Sequence, residues 1–516
     1  MRAKNALRNM IASILLELTA AVSGILLPRF FIATYGSSVY GLVSSIGQFI
    51  TYMGLVEAGV GAAAIIDLYK PLADGDNLKI SEIVSAARGF YNRLGIIFLS
   101  LDAVLILGYP YIVRNEISDA SFIRMMILVL SIVGFVNFFL VGKYHALLIA
   151  DQKSYIIAFA QTVGNVVTLA VSIIMIELEI SSILVKGVVG LVYFLRAVYL
   201  AFYVGKHYPG VSFRKPYTAN VFSQRNAALF HQVVTVICDH TDVILLTVMM
   251  KKDALVEVSV YSTYYMIGLC FTQLFNSISQ GIRASFGNII VSNDEEALQR
   301  SFGLFELVYF NMLYISYTCI AVLMLPFISL YSKHFADASV YPRAELVVLF
   351  TACGILQNSR IPGLTINLAA GHYKQTRWAA ALELLLNLGV SVTLVRILGI
   401  PGVLIGTIVA FLFRTTFEIV YSAKHFLHGT LGRTGCRILR NFLLFLAIAL
   451  SAGPFVAPLL TTWYRWFGVA VIVGLGTTGA FLLLNYITEP ATVRQGVDFL
   501  RRHMIRKTAV NDSGKE

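Results

Sequence analysis

The sequence predicts an all-α polytopic membrane protein of about 14 transmembrane helices. Of its 516 residues, 57% are hydrophobic and only 13% are charged, whereas soluble domains contain about 25% charged residues. Apolar runs of about 20 residues, the length that crosses a bilayer as a helix, recur between short polar breaks. The predicted spans lie near 10–33, 39–66, 90–113, 122–149, 154–176, 180–204, 222–250, 255–289, 302–331, 342–370, 376–398, 401–426, 438–460 and 463–487. The first run is too long for a signal-peptide core and is predicted to be a retained span.

The distribution of positive charge predicts the orientation. The net charge is +12, and the Lys and Arg residues cluster at the N-terminus, in alternate loops and in the C-terminal tail. Because cytoplasmic loops are enriched in Lys and Arg, both termini are predicted to be cytoplasmic, and the basic excess does not indicate nucleic-acid binding. The five cysteines are isolated and no nucleotide-binding loop motif occurs. The sequence therefore predicts no metal, no cofactor and no nucleotide motor.

A weak internal repeat divides the chain. VYGLVSSIG (Val39–Gly47) aligns with VYSTYYMIG (Val260–Gly268) at an offset of 221 positions. Arg196 and the pair at 206–207 align with Arg414 and the pair at 424–425 at an offset of 218. We therefore predict two lobes of six helices in the same orientation, as in parallel-repeat transporters. The lobes are 1–215 and 221–430, followed by two additional helices at 434–487 and a basic cytoplasmic tail at 488–516.

Polar residues recur along one face of the eighth predicted span. They follow three- and four-residue steps, which place them on one stripe of a helix that must face protein or water rather than lipid. A milder version occurs in the second span, the equivalent span of the first lobe. An alternative role for both faces is hydrogen bonding between helices. The substrate-binding candidates on these faces are Tyr261, Tyr265, Thr272, Asn276 and Arg283 in the eighth span, and Gln48 and Tyr52 in the second.

Charged residues within other spans supply further candidates. Arg360 is predicted about eleven residues from the inner end of its span, and with Arg283 it is a candidate ligand for a substrate anion. The ion-coupling candidates are Glu17, Asp239, Asp242 and His231. These acidic groups could instead pair structurally with an Arg or His. Arg196 and Arg414 are expected to anchor helices, and Glu383 and Glu418 to pack or form salt bridges. No catalytic residue is predicted.

Several segments resemble the bacterial polysaccharide flippases, of O-antigen type, in the multidrug/oligosaccharidyl-lipid/polysaccharide exporter superfamily. The first lobe contains GLVEAGVGAAAIIDLYKPLADGD (54–76), and the second contains HTDVILL and VSVYSTYYMI (258–267). Later, GHYKQTRWAAALELLLNLGVSVTLV is followed by LGIPGVLIGT. The resemblance covers most of the chain and includes Asp242, Tyr261 and Tyr264 as positions of the family pattern. It implies a V-shaped, two-lobed bundle like that of multidrug and toxin extrusion (MATE) transporters.

The same resemblance implies a function in surface polysaccharide biosynthesis. The expected function is alternating-access transfer of a polyprenyl-diphosphate-linked oligosaccharide from the cytoplasmic to the outer leaflet of a bacterial inner membrane. Glycosyltransferases and a polysaccharide polymerase would be its partners, and Na⁺ or H⁺ coupling is expected. The alternatives are an ion-coupled drug or metabolite antiporter, a lipid II flippase and a membrane glycan polymerase. The first span has Glu17 where lipid II flippases carry early cavity arginines. The glycan, the coupling ion, the oligomeric state and the exact number of spans, between twelve and fourteen, remain open.

Overall fold

The computed structural model describes residues 2–57, 60–214, 226–250, 252–456 and 460–496. Within these ranges the chain forms α-helices joined by short turns, with no β-strand, which confirms the predicted all-α class. The first helices are α1 (Arg2–Tyr35), α2 (Ser37–Gly54), α3 (Val60–Asp74), α4 (Asn77–Val113), α5 (Ala120–Val136), α6 (Gly142–Ala150), α7 (Ser154–Glu177) and α8 (Ser182–His207). The later helices are α9 (Asn226–Met249), α10 (Ala254–Val291), α11 (Glu295–Tyr331), α12 (Ala344–Ser359), α13 (Ile361–Ala369), α14 (Arg377–Leu398), α15 (Ile400–His425), α16 (Leu431–Val456) and α17 (Trp463–Thr488).

Each of the fourteen predicted spans corresponds to a helix or to two consecutive helices. A π-helical turn at Asn137–Val141 joins α5 to α6. Arg360 separates α12 from α13, and Pro362 follows at the start of α13, where a missing N–H is tolerated. Among the described residues, eleven helical segments are long and apolar enough to cross a membrane. The α2–α3 pair, α9 and the α12–α13 pair fall outside that set, so their crossing remains a prediction.

Large apolar side chains cover much of the helix surface. Exposed fractions reach 71% for Phe202, 74% for Leu450 and 77% for Phe455. A soluble protein would not expose side chains of this kind along whole helices, whereas lipid solvates them without cost. The backbone is also satisfied within each helix, as a hydrocarbon environment requires. The surface is therefore that of a membrane-embedded bundle.

The described helices group into two compact units. Unit 1 contains Met1–Ile267, His334–Ala338 and Leu384–Gly406, and unit 2 contains Gly268–Lys333, Ser339–Glu383 and Thr407–Glu516. This grouping assigns α9 and the first part of α10 to unit 1, and α16 and α17 to unit 2. It follows spatial contacts rather than sequence duplication, so the predicted lobe boundaries at 1–215 and 221–430 remain a prediction.

Helix boundaries support the internal duplication. Helices α4 and α11 each contain 37 residues, and α8 and α15 each contain 26. In both pairs, the two starts and the two ends differ by 218 positions, the offset that the Arg196 and Arg414 alignment predicts. Two pairs of helices therefore have the lengths and the offset that the predicted repeat requires, while the repeat itself remains a prediction.

The turns before α4 and α11 have the same backbone conformation. Gly75 and Asn293, also 218 positions apart, both have positive φ, 70° and 54°. Asp76 and Asp294 then cap the two helices by accepting hydrogen bonds from backbone N–H groups of the first turn. Gly and Asn are the residues that adopt this left-handed conformation most readily, and Asp is a favoured N-cap. Identical local chemistry thus begins both long helices.

Small residues allow the close contacts within unit 1. A Cβ atom added to Gly41 of α2 would lie 1.8 Å from the carbonyl oxygen of Leu255 in α10. Leu42 and Ile46, on the same face of α2, belong to the main apolar core of the unit. Close backbone approach at a small residue is the usual basis of helix association in membranes. This contact fixes α2 beside the start of α10, where several candidate residues lie.

Candidate functional site

A buried carboxylate lies at the centre of the polar face of unit 1. Asp242 of α9 accepts a 2.8 Å hydrogen bond from the hydroxyl of Tyr261 in α10, and both side chains are 3% exposed. Tyr265, one turn further along α10, stacks on Tyr261 with a ring-centroid distance of 5.8 Å. A charge-assisted hydrogen bond is the form in which a membrane helix retains a carboxylate at low cost. The structure therefore brings three sequence-predicted residues together.

The polar face of α2 contacts α9. Gln48 and His240 are joined through Oε1 and Nδ1 at 2.6 Å. The hydroxyl of Tyr52 donates to the carbonyl of Ile237 at 3.1 Å and also contacts the Thr241 hydroxyl. These contacts are hydrogen bonds between helices, which was the alternative role for this face. His240 and Thr241 were not among the sequence-derived candidates, although both lie between Asp239 and Asp242.

The remaining ion-coupling candidates have different environments. Glu17 is exposed on α1, whereas Asp239 is half-buried on α9 and has further interactions in unit 1. The His231 side chain lies outside the described part of the structure, and its ion-coupling role stays a prediction. Ion coupling through these groups remains a prediction.

The later part of α10 presents its polar residues within unit 2. Asn358 of α12 donates to Tyr317 at 3.0 Å and to Thr272 at 3.4 Å. Ser279 hydrogen-bonds Thr365 of α13 at 2.6 Å. Asn276, between them on this face, is half-buried. Thr272 and Ser279 thus hold α12 and α13 against α10. Asn358 of α12 and Tyr317 of α11 belong to the same hydrogen-bond network, and the sequence pattern did not identify them.

Arg283 is a half-buried cation near the end of this stripe. Its Nε atom is buried and makes no hydrogen bond to any described residue. No ion pair of Arg283 occurs among the described side chains of unit 2. A guanidinium retained in this state has donors available for an anion.

Arg360 belongs to a buried four-residue ion network. Its guanidinium pairs with Glu383, and their side chains are 13% and 7% exposed. Glu383 also lies 3.7 Å from Arg414, which pairs with Glu418 at 2.7 Å. Two cations and two carboxylates make the network neutral overall. The predicted salt-bridge roles of Glu383 and Glu418 agree with these contacts, and the substrate role of Arg360 remains a prediction.

The buried ion network contains only one of the two arginines that were predicted to anchor helices. Arg414 is 4% exposed and braces α15 against α14. Arg196, its repeat equivalent in α8, is 7% exposed and contacts His145 at 3.5 Å and the Tyr193 ring at 4.9 Å. The two arginines therefore have different partners, because Glu383 and Glu418 are matched at this offset by Asn165 of α7 and Leu200 of α8, which carry no charge.

Unit 2 contains a second buried ion cluster that the sequence pattern did not predict. Arg437 of α16 is 1% exposed and pairs with Glu306 of α11 at 2.6 Å and with Glu489 beyond α17. Arg440 also contacts Glu489 at 3.2 Å. Burial opposes ionisation of Glu489, but hydrogen bonding and attraction from Arg437 outweigh it, and the pKa of Glu489 is lowered. A glutamate inside the apolar run GLFELVYF was the available signal.

The substrate-binding candidates fall into two groups, one in each unit. Four lie in unit 1 and four in unit 2, and their association into one chamber remains a prediction. Within the described residues, no three His, Cys, Asp or Glu side chains converge as metal ligands would. The groups in unit 1 are Gln48, Tyr52, Tyr261 and Tyr265, and those in unit 2 are Thr272, Asn276, Arg283 and Arg360.

Comparison with known proteins identifies the fold. No protein-family model matches the chain and no curated protein matches it. Among solved structures, the lipid II flippase MurJ in an inward closed conformation has a TM-score of 0.62 and 15% identity, covering 92% of this chain and 99% of MurJ. An inward-facing multidrug resistance MATE transporter of the MOP superfamily has a TM-score of 0.58 and 14% identity, covering 80% and 96%. The eukaryotic MATE transporter AtDTX14 has a TM-score of 0.54 and 11% identity, covering 85% and 99%.

Proposed function

We propose that this protein is a flippase that transfers a polyprenyl-diphosphate-linked oligosaccharide from the cytoplasmic to the outer leaflet. The fold shared with MurJ and MATE transporters supports a transport function, and the resemblance of several segments to polysaccharide flippases favours a lipid-linked glycan. The proposed location is a bacterial inner membrane with both termini in the cytoplasm. Glycosyltransferases and a polymerase would supply and use the substrate.

The observation that carries the proposal is the state of Arg283. It is a half-buried cation that has neither an ion pair nor a hydrogen bond from its Nε among the described residues, and it lies on the same helix face as Thr272 and Asn276. A diphosphate needs such donors, and guanidinium groups bind phosphate oxygens in a bidentate manner. We propose Arg283 as the main diphosphate ligand. Arg360 is the weaker candidate, because Glu383 neutralises it.

The physical requirements of the substrate agree with the polar residues of both units. A sugar headgroup cannot cross hydrocarbon unless each hydroxyl finds a hydrogen-bond partner. Tyrosine, threonine and amide side chains can supply such partners, while the polyprenyl tail stays in lipid. With a negative interior, outward movement of an anion is favoured by about 2.3 kcal/mol per charge per 100 mV. Cation binding near Asp239 and Asp242 is proposed to reset the carrier.

Two other functions on the same fold are tested by substrate choice. A drug antiporter would move organic cations and would not require Arg283, whereas a lipid II flippase would move the peptidoglycan precursor. Polymerase activity would join glycans, and the predicted short outer loops offer little room for an acceptor. The antiporter and the lipid II flippase differ from the proposed function in which compound reaches the opposite leaflet.

The test is reconstitution of the purified full-length protein in vesicles. A fluorescent polyprenyl-diphosphate oligosaccharide is placed in the inner leaflet, and its arrival in the outer leaflet is measured with and without a membrane potential. Wild-type protein is expected to move it, and Arg283→Gln is expected to lose transport while inserting normally. Arg300→Gln, which alters an exposed arginine of α11, is the matched control. Movement of lipid II or of an organic cation in preference to the oligosaccharide would contradict the proposal.

A further inference from the structure

Three basic side chains come together in unit 1, away from the candidate site. Arg88 lies on α4, Lys143 lies on α6, and Arg214 follows α8. Lys143 precedes Tyr144, whose ring packs edge-on against Phe213, the neighbour of Arg214 in the sequence. Arg88 also donates a 3.3 Å hydrogen bond to the carbonyl of Phe213. Three separate parts of the chain therefore contribute cations to one place.

These cations lack a carboxylate partner in the described part of the chain. None of them takes part in an ion pair there, although Lys79 and Lys153 in the same unit do. Glu57 accepts its hydrogen bond from Tyr91, at 3.0 Å. The adjoining sequence KPYTANVFSQR (215–225) contains no Asp or Glu. Arg214 is exposed, whereas Arg88 and Lys143 are half-buried, so an anion from outside the protein would relieve a repulsion that water screens only in part.

Comparison of the two repeat copies isolates this feature. In both copies, the segment that follows α8 or α15 packs back on the long helix α4 or α11. In the first copy, the backbone N–H of Ser212 donates to the Ser81 hydroxyl of α4 at 2.9 Å. In the second copy, Gln299 of α11, the equivalent of Ser81, donates to the carbonyl of His428 at 3.3 Å. The position equivalent to Arg88 is Glu306, which pairs with Arg437. In the second copy, the charge at this position is therefore neutralised by an ion pair within the protein. In the first copy, Arg88 has no acidic partner among the described residues.

The depth of the cluster follows from helix geometry. Helices α4 and α5 meet the same short loop at Val113 and Ala120. At 1.5 Å per residue, Arg88 lies roughly 38 Å from that end along α4, and Lys143 lies roughly 35 Å from it along α5 and α6. The hydrocarbon core is about 30 Å thick, so two independent helices place these cations in the opposite headgroup layer.

Two aromatic rings lie beside the cluster. The Lys143 ammonium lies 4.9 Å from the centre of the Tyr144 ring, and this ring packs edge-on against Phe213 at 5.2 Å. Amphipathic aromatic side chains concentrate at the membrane interface. Basic pockets between membrane helices at this level bind the phosphate groups of lipids.

We infer that Arg88, Lys143 and Arg214 form a binding site for the phosphate of an anionic bilayer phospholipid. A phosphate there would accept hydrogen bonds from guanidinium and ammonium groups and relieve their mutual repulsion. The acyl chains would lie along the adjoining apolar helix surface. This site is independent of the proposed transport function, because it uses none of the substrate-binding candidates.

Lipid binding by the full-length protein in detergent provides the test. Native mass spectrometry measures the affinity for phosphatidylglycerol, for phosphatidylcholine and for a polyprenyl diphosphate. Loss of each cation near a membrane surface is expected to weaken binding about fivefold, so Arg88→Gln/Lys143→Gln should bind phosphatidylglycerol about 25-fold more weakly than wild type. The charge-matched control Lys79→Gln/Arg93→Gln alters two exposed residues of α4 and should change the affinity less than twofold.

Three results would overturn the inference. The first is equal affinity of wild type for phosphatidylglycerol and phosphatidylcholine. The second is unchanged phosphatidylglycerol binding by the double variant, and the third is a charge-dependent loss seen only with polyprenyl diphosphate, which would make this a substrate site. If the double variant does not fold, Lys143→Gln alone decides, with a fivefold loss supporting the inference and no loss contradicting it.

Discussion

The ion pair of Arg360 and Glu383 allows the substrate role of Arg360 to be separated from a structural role. Arg360→Gln leaves the four-residue network with one net negative charge, and Glu383→Gln leaves it with one net positive charge. Arg360→Gln removes a charge-assisted hydrogen bond, worth about 1.5–3 kcal/mol. Glu383→Gln removes the carboxylate that lies between two guanidinium groups, for which about 3–5 kcal/mol is expected. The double variant is neutral again.

The double variant should therefore be more stable than the sum of the single changes predicts. A coupling energy of about 1.5 kcal/mol or more is expected from a double-mutant cycle measured by unfolding in detergent. Transport in vesicles is measured on the same four proteins. If Arg360 acts only as a brace, as the neutral network predicts, the double variant recovers transport together with stability.

Two outcomes would refute this reasoning. A coupling energy below about 0.5 kcal/mol would mean that the two side chains do not form the pair. Recovered stability without recovered transport would mean that Arg360 contacts the substrate and that the neutralisation argument is wrong. Arg300→Gln, an exposed change in the same unit, provides the baseline for both measurements.

Three further predictions concern other parts of the chain. Gly41→Ala places a methyl group 1.8 Å from a backbone oxygen of α10 and should cost about 3 kcal/mol of unfolding free energy, whereas Gly47→Ala, with no atom within 4 Å, should cost far less. The lowered pKa of Glu489 means that its contribution to stability is present above its ordinary pKa of 4.5 and is lost as pH falls through the folded value. Glu489→Gln should therefore lower stability at pH 7 and reduce its loss below about pH 4.5, which thermal unfolding across pH would show. Asp242→Asn keeps an acceptor for Tyr261, so it should insert normally but lose any dependence of transport on a Na⁺ or pH gradient; unchanged dependence would exclude Asp242 from coupling.

The sequence determined the class of this protein because membrane insertion depends on local composition. Apolar runs of bilayer length predicted the fourteen helical segments, and the alignment at an offset of 218 positions anticipated the equal lengths of α8 and α15. The face of α10 that contains Tyr261 and the face of α9 that contains Asp242 could each be predicted, because three- and four-residue spacing fixes which residues share the surface of one helix.

The tertiary structure decided which polar residues are already paired. The Nε atoms of Arg360 and Arg283 are both buried without a hydrogen bond, yet Arg360 is paired with Glu383, whereas Arg283 has no ion pair among the described residues. The sequence also did not predict that Arg437 pairs with Glu306, 131 positions away. Such pairings depend on which helices pack together, whereas periodicity specifies only the face of a single helix. Insertion is therefore encoded locally, and the state of each buried charge is set by helix packing.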